Sequence, residues 1–268
     1  MADVRCPVCG AALAAARPAW RCPAGHSFDV ARQGYVNLLP VQQKHSRQPG
    51  DSPAQVRARR AFLAEGHYAP LAARVAALAA AEPAGDVLDA GCGEGYYLSA
   101  VGAALPAARR WGVDISREAV RLAAGRDKGA QFLVATAAHL PFAGGGFDVV
   151  LSLFAVTAAE EFRRVLRPGG RFLQVTAGPD HLLALRRLIY PAVRPHPAAE
   201  APALPGFALA AEETLSFPIH LAENRQVQDL LAMTPHFLRI SAQGAARARA
   251  AAGLDDTCQA VLRVYRAV

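Results

Sequence analysis

From residue 86 onward, short apolar runs take turns with amphipathic segments. Residues 86–90, 111–114, 131–135, 147–153 and 170–176 carry the dense apolar pattern of strands buried on both faces, and 117–125 and 158–166 have helical spacing between them. This alternation predicts an α/β fold with a mostly parallel sheet, helices on both faces and ligands at the carboxyl ends of the strands. Two later runs, 207–221 and 257–268, flank a helix at 225–233 and suit an antiparallel pair that closes the sheet. Prolines within 178–205 break the rhythm, which marks an insertion near the mouth of the site.

Ahead of the sheet, Ser52 and Pro53 have the chemistry of an N-cap and a first helical residue, and Val56, Phe62 and Leu63 follow at helical spacing. Gly66 ends that helix, and a second is expected over 70–81. Further upstream, 28–40 alternates about Gly34 and reads as the last strand of a small ribbon with its exit turn. The expected division is a ribbon domain at 1–40, a polar linker at 41–52 and a large domain at 53–268.

The first strand opens into a turn with Asp89, Gly91, Gly93 and Gly95 at alternate positions. Glycines there remove the Cβ atoms that would occupy the volume of a flat polar ligand. A dinucleotide site would place its third glycine one residue later and rest a pyrophosphate on the helix N-terminus. The spacing seen, with an acid ahead of it, resembles instead the first motif of class I S-adenosylmethionine-dependent methyltransferases. That resemblance implies a second acid for the cofactor's ribose, and Asp114 stands 25 residues after Asp89.

Composition changes this picture mainly through charge. Of a net +7, residues 1–60 contribute +6, from nine Lys and Arg against three acids. A basic head on a nearly neutral body points to a polyanionic partner, because phosphate contacts by Lys and Arg supply most non-specific nucleic-acid affinity. A hydrophobic content of 53% allows a large core, and the sequence has no run of eighteen uncharged apolar residues. A cytoplasmic protein with no membrane partner is expected.

The head also carries Cys6-Pro-Val-Cys9 and Cys22-Pro-Ala-Gly-His26, two knuckles that can each grip one side of a tetrahedral ion. Three thiolates and one imidazole suit Zn2+, and about forty residues are too few to fold on a core alone. Cys6, Cys9, Cys22 and His26 are therefore the expected metal ligands. Four protein ligands close such a site, so no catalysis is assigned to it.

Taken together, the two knuckles, the segment from Gly34 to Tyr68 and the glycine turn resemble the bacterial 23S ribosomal RNA (guanine-N1) methyltransferases, over nearly the whole chain. The resemblance implies a zinc ribbon that recognises RNA, a Rossmann-like class I catalytic domain, a hairpin of 23S rRNA domain II as substrate, and a homodimer. It also places Tyr68, Gly93, Glu94 and His181 among the contacts to S-adenosylmethionine. This chain departs from the family where Phe154-Ala155-Val156 lacks a proline after the fourth strand.

Methylation of guanine N1 requires loss of its proton, so an acceptor within hydrogen-bond reach is expected. The sequence leaves that catalytic group unknown, with Asp51, Glu65 and His181 as candidates by location. An extruded base also needs an aromatic partner, for which Phe154 is the candidate. Alternative readings are methylation of the neighbouring guanine, conferring macrolide resistance, and a small-molecule methyltransferase on the same scaffold.

Overall fold

A computed structural model describes residues 2–43, 49–193 and 200–268. The ribbon contains two short antiparallel strands, β1 (Ala19–Arg21) and β2 (Ser27–Asp29), with Trp20 opposite Phe28. After a turn at Gly34 the chain forms β3 (Val36–Asn37). Then come α1 (Pro53–Ala64), α2 (Ala69–Ala79), β4 (Asp86–Ala90), α3 (Tyr96–Ala104), β5 (Arg109–Asp114), α4 (Arg117–Arg126) and β6 (Ala130–Val134). The remainder is β7 (Phe147–Leu153), α5 (Ala159–Val165), β8 (Leu166–Ala177), α6 (Leu183–Ile189), β9 (Phe207–Leu221), α7 (Asn224–Ala232), α8 (Ala242–Ala250) and β10 (Leu254–Ala267).

Local chemistry explains several of these boundaries. Ser52 and Gln55 close a reciprocal cap at α1: the Gln55 N–H donates to Ser52 Oγ at 3.4 Å, and the Ser52 N–H to Gln55 Oε1 at 3.1 Å. At the other end of the helical layer, the buried Arg171 guanidinium of β8 donates to the carbonyls of Leu78, Ala79 and Glu82, satisfying groups that α2 leaves unpaired.

One eight-stranded sheet runs β3-β6-β5-β4-β7-β8-β10-β9. Strands β3 to β8 are mutually parallel, and β10 is antiparallel to both of its neighbours. Chain order reverses between β4 and β7, which opens a crevice beyond their carboxyl ends. The turns after these two strands, at Gly91 and at Ala155, meet there.

The ribbon is built into this sheet. β3 pairs with β6, Val36 beside Leu133 and Asn37 beside Val134. The sequence pattern placed this segment in the ribbon; a two-residue parallel strand has no local signature and is defined only by its distant partner. No helix links β6 to β7 among the described residues, and the ribbon covers the face that a crossover helix would cover. Asp3 and Arg5 exchange backbone hydrogen bonds with Ala143 and Pro141 at 2.8 and 2.9 Å. Val4, Cys6, Leu13, Trp20 and Leu38 belong to one apolar cluster with Leu133, Phe142, Phe147 and Phe162. The sequence also missed α6 and α8, while the proline-rich stretch around 194–197 and the middle of the expected linker lie outside the described residues.

If ribbon and sheet share a core, damage at the seam must destabilise both. Leu38→Ala is expected to cost about 2–5 kcal/mol and to lower a single calorimetric transition. A separate, low-melting ribbon transition would contradict the shared core.

Candidate active site and metal centre

The two knuckles come together at one end of the ribbon. The ligand atoms of Cys6, Cys9, Cys22 and His26 all lie within 4.8 Å of one another. Cys9 Sγ is 3.7 Å from Cys22 Sγ, and His26 Nδ1 is 3.6 Å from Cys6 Sγ and 3.3 Å from Cys22 Sγ. Ligands at zinc's usual bond lengths stand roughly 3.5–3.8 Å apart along tetrahedral edges, so this set fits the ion.

At the switch point, a cleft of about 350 Å³ is lined by Tyr68, Gly91, Gly93, Glu94, His181 and Phe154, among others. Asp89, Gly95 and Asp114 stand directly behind that lining. Gly91, Gly93 and Gly95 have φ of +94°, +54° and +85°, a region open to glycine. A Cβ at Gly91 would lie 2.7 Å from that of Ala155. Asp114 braces the turn: its Oδ2 accepts the Gly93 N–H at 2.9 Å and its Oδ1 the Ser116 N–H at 2.8 Å. Burial raises its carboxyl above the usual range, against those two hydrogen bonds.

Asp89 is buried, and neither carboxylate oxygen has a hydrogen-bond partner. Burial, with the charge of Asp114 behind it, pushes this acid up to about 8. Glu94 is equally enclosed and is pushed up to about 7 by burial, against the attraction of Arg126, Arg60 and Arg59. Arg126 approaches Glu94 Oε2 at 2.8 Å, out of line for a hydrogen bond. Buried acids without hydrogen-bond partners beside a backbone cradle fit a ligand that brings hydroxyls and a cationic amine, as S-adenosylmethionine does.

Tyr68 is buried and meets Phe62, Phe154, His181 and Phe217 edge-on at 5.6–6.5 Å. The His181 Nδ1–H donates to the Gln259 carbonyl at 2.9 Å, which leaves the lone pair on Nε2. Burial pushes this histidine down to about 4, so the ring is neutral in ordinary buffers.

Of the three proton-acceptor candidates, only His181 lines the cleft. Glu65 is held on the outer side of α1 by Arg225 at 2.6 Å and Gln226 at 2.5 Å. Asp51 pairs with Arg59 at 2.7 Å and borders a second cavity of about 500 Å³ between β3 and α4. That cavity is larger, but Asp51 is its sole residue from the sequence-derived set. Sequence reasoning did not place Arg59, Tyr97 or His236 in the cleft, although all three line it. Arg59 counts in the sequence toward the basic head expected to meet a polyanion, yet it donates to Asp51 and to the Met233 carbonyl.

Residues 4–47 match the zinc-ribbon family described as RlmA, N-terminal, and 87–170 match a methyltransferase domain. A Micromonospora griseorubida protein, provisionally named a 23S rRNA (guanine-N(1)-)-methyltransferase, is 43% identical over 203 residues, 68% of each chain. The chain belongs to this family. A Streptomyces fradiae relative, 23S rRNA (guanine(748)-N(1))-methyltransferase, is 42% identical over 187 residues, 68% of this chain and 66% of its own. A Bacillus subtilis relative, with the same provisional name as the first, is 34% identical over 198 residues, covering 69% and 68%. As a 23S rRNA (guanine-N1) methyltransferase family member, the protein is an S-adenosylmethionine-dependent enzyme with a zinc ribbon. No helix among the described residues is long and apolar enough to cross a membrane.

Metal analysis should return about one zinc per chain, lowered by Cys9→Ser; full retention would contradict the ligand set. Asp89 generates a pH prediction. An aspartate titrates ordinarily near 3.8 and here near 8, so the folded chain keeps a proton that the unfolded chain loses. The contribution of Asp89 to stability is then fully present below about pH 4 and is lost as pH rises through about 8. Asp89→Asn should flatten that fall in a melting-temperature series while weakening S-adenosylmethionine binding in calorimetry. An unchanged slope would remove the buried-acid account.

Proposed function

We propose that this protein transfers the methyl group of S-adenosylmethionine to N1 of a guanine in a domain II hairpin of 23S rRNA. The observation that carries the reading is the continuity of the metal-clamped ribbon with the sheet whose switch point forms the cleft, in a chain of this family. S-adenosylmethionine supplies an electrophilic methyl carbon on sulfonium. Tyr68, Asp89, Gly91, Gly93, Glu94, Gly95, Asp114 and His181 are proposed to form its site, with the glycine turn fixing the donor's position. Orientation of this kind can lower a barrier by about 7–11 kcal/mol. The Nε2 lone pair of His181 is available to an N–H donor in the cleft.

RNA recognition is assigned to the ribbon at 1–40, with 41–52 as connection and 53–268 as the catalytic part. Arg17, Arg21 and Arg32 on the ribbon and Arg57 and Arg60 on α1 are exposed, and of these Arg60 also attracts Glu94 and Arg57 attracts Glu118. Such cations suit phosphates. The reading includes a cytoplasmic homodimer; among the described residues the outer edge of β9 has no strand partner. A second reading, methylation of the neighbouring guanine, is favoured by the 42% identity to the guanine(748) enzyme.

Incubation with labelled S-adenosylmethionine and unmodified 23S rRNA should yield 1-methylguanosine by nucleoside mass spectrometry. Primer extension should stop at one of two adjacent guanines and so separate the readings. No 1-methylguanosine would overturn both, and sedimentation at micromolar concentration tests the dimer.

A further inference from the structure

Two described non-glycine residues have positive φ, Phe154 at +53° and Leu182 at +51°. Both flank one contact. Phe154 follows directly on β7, and its ring lies against that of His181, the residue before Leu182, with centroids 5.4 Å apart and planes inclined by 35°. Left-handed backbone is disfavoured for a bulky side chain, and such outliers gather at sites where a constrained geometry serves a ligand.

Burial does not explain this one. Phe154 remains 39% exposed, whereas Tyr68, which meets its ring edge-on, is enclosed. The backbone is nevertheless fixed: the Phe154 N–H donates to the Val175 carbonyl at 2.8 Å, and the next residue, Ala155, abuts the Gly91 turn. His181 supports the ring, and Tyr68 meets it edge-on at 6.5 Å. A partly exposed phenyl ring is thus held in an unfavourable backbone conformation beside the donor turn, in the same cleft as His236.

Resting on the substrate reading above, we propose that Phe154 is the platform on which the extruded guanine stacks, with its Watson–Crick edge turned toward the glycine turn. A base taken out of its stack loses its neighbours, and an aromatic face replaces part of that interaction without regard to sequence. His181 is then a positioning residue for the platform, fixed by the Gln259 carbonyl. Val156, two residues beyond Phe154, is 77% exposed.

The test compares Phe154→Ala, Phe154→Asn and Phe154→Tyr on unmodified 23S rRNA. Phe154→Ala should lower kcat/KM for RNA by about 10- to 100-fold, within the range for loss of one base-stacking contact. S-adenosylmethionine affinity by calorimetry should stay within about twofold, since the donor turn is untouched. Phe154→Tyr, which keeps an aromatic face, should restore most of the loss. Phe154→Asn tolerates positive φ better, so its melting temperature should equal or exceed that of the parent while activity falls as with alanine. Parallel losses of melting temperature and cofactor affinity in Phe154→Ala would make the ring a structural prop and overturn the proposal. So would an alanine variant with kcat/KM within twofold of a parent that does form 1-methylguanosine. A parent that binds S-adenosylmethionine but methylates no ribosomal RNA would overturn the substrate reading first, and the platform with it.

Discussion

A parallel sheet has to be covered on both faces, because its strands are apolar on both. In this protein one crossover, from β6 to β7, lacks the helix that normally provides the cover, and the zinc ribbon lies in its place. Much of the architecture follows from that requirement. A head of about forty residues cannot enclose a core of its own, and the bare sheet face needs apolar side chains. Trp20, Val4 and Leu38 meet both needs at once by packing on Phe142, Phe147 and Phe162. Cys6 and Cys22 belong to that shared core, and a metal would tie Cys9 and His26 to them. A ribbon mounted this way has a set position relative to the crevice between β4 and β7, whereas a ribbon on a flexible tether would have none.

The crevice is where the fold is least favourable to itself. Asp89 and Glu94 are enclosed without hydrogen-bond partners, and Asp114 lies behind Asp89 with like charge. Burial alone would protonate these acids, as their raised pKa values indicate. A ligand with hydroxyls and a cationic amine relieves the same cost by supplying partners. On the proposed reading, the groups that cost this protein stability would be the ones that recognise S-adenosylmethionine, and the surrounding core supplies the stability that tolerates them.

Local patterning made much of this legible. The span of β7 and β9 follows from apolar content and turn chemistry alone, and the three glycines announced a close backbone approach that Gly91 and Ala155 display. What escaped the sequence was long-range. The pairing of β3 with β6 depends on a partner nearly a hundred residues away. Helix α8 is a run of alanine and arginine that resembles the compositional background of the whole chain. Only contact shows its use: Gly244 leaves no room for a side chain beside the Ile189 carbonyl of α6. Arg59 misled for the opposite reason. A basic residue in a basic head reads as one that meets a polyanion, and nothing local reveals that Asp51 and the Met233 carbonyl draw it inward.

That inward turn of Arg59 changes which residues carry the charge of the basic head. Arg59 and Asp51 neutralise one another and offer nothing to a phosphate, and because the formal +6 of residues 1–60 already counts Asp51, the whole of it rests on the other residues. Other cations of the head, Arg17, Arg21 and Arg32 on the ribbon and Arg57 and Arg60 on α1, are exposed. The crevice itself is lined by Phe154 and by Pro235 and His236 of a 3-10 turn whose Phe237 and Leu238 are exposed, as is Val156. Phosphate attraction can bring a hairpin to such a surface and set its orientation, but it cannot hold a base over the donor turn. Apolar and aromatic contacts in the crevice must do that, which is why the side chain at the end of β7 matters more to the choice of base than the net charge of the head.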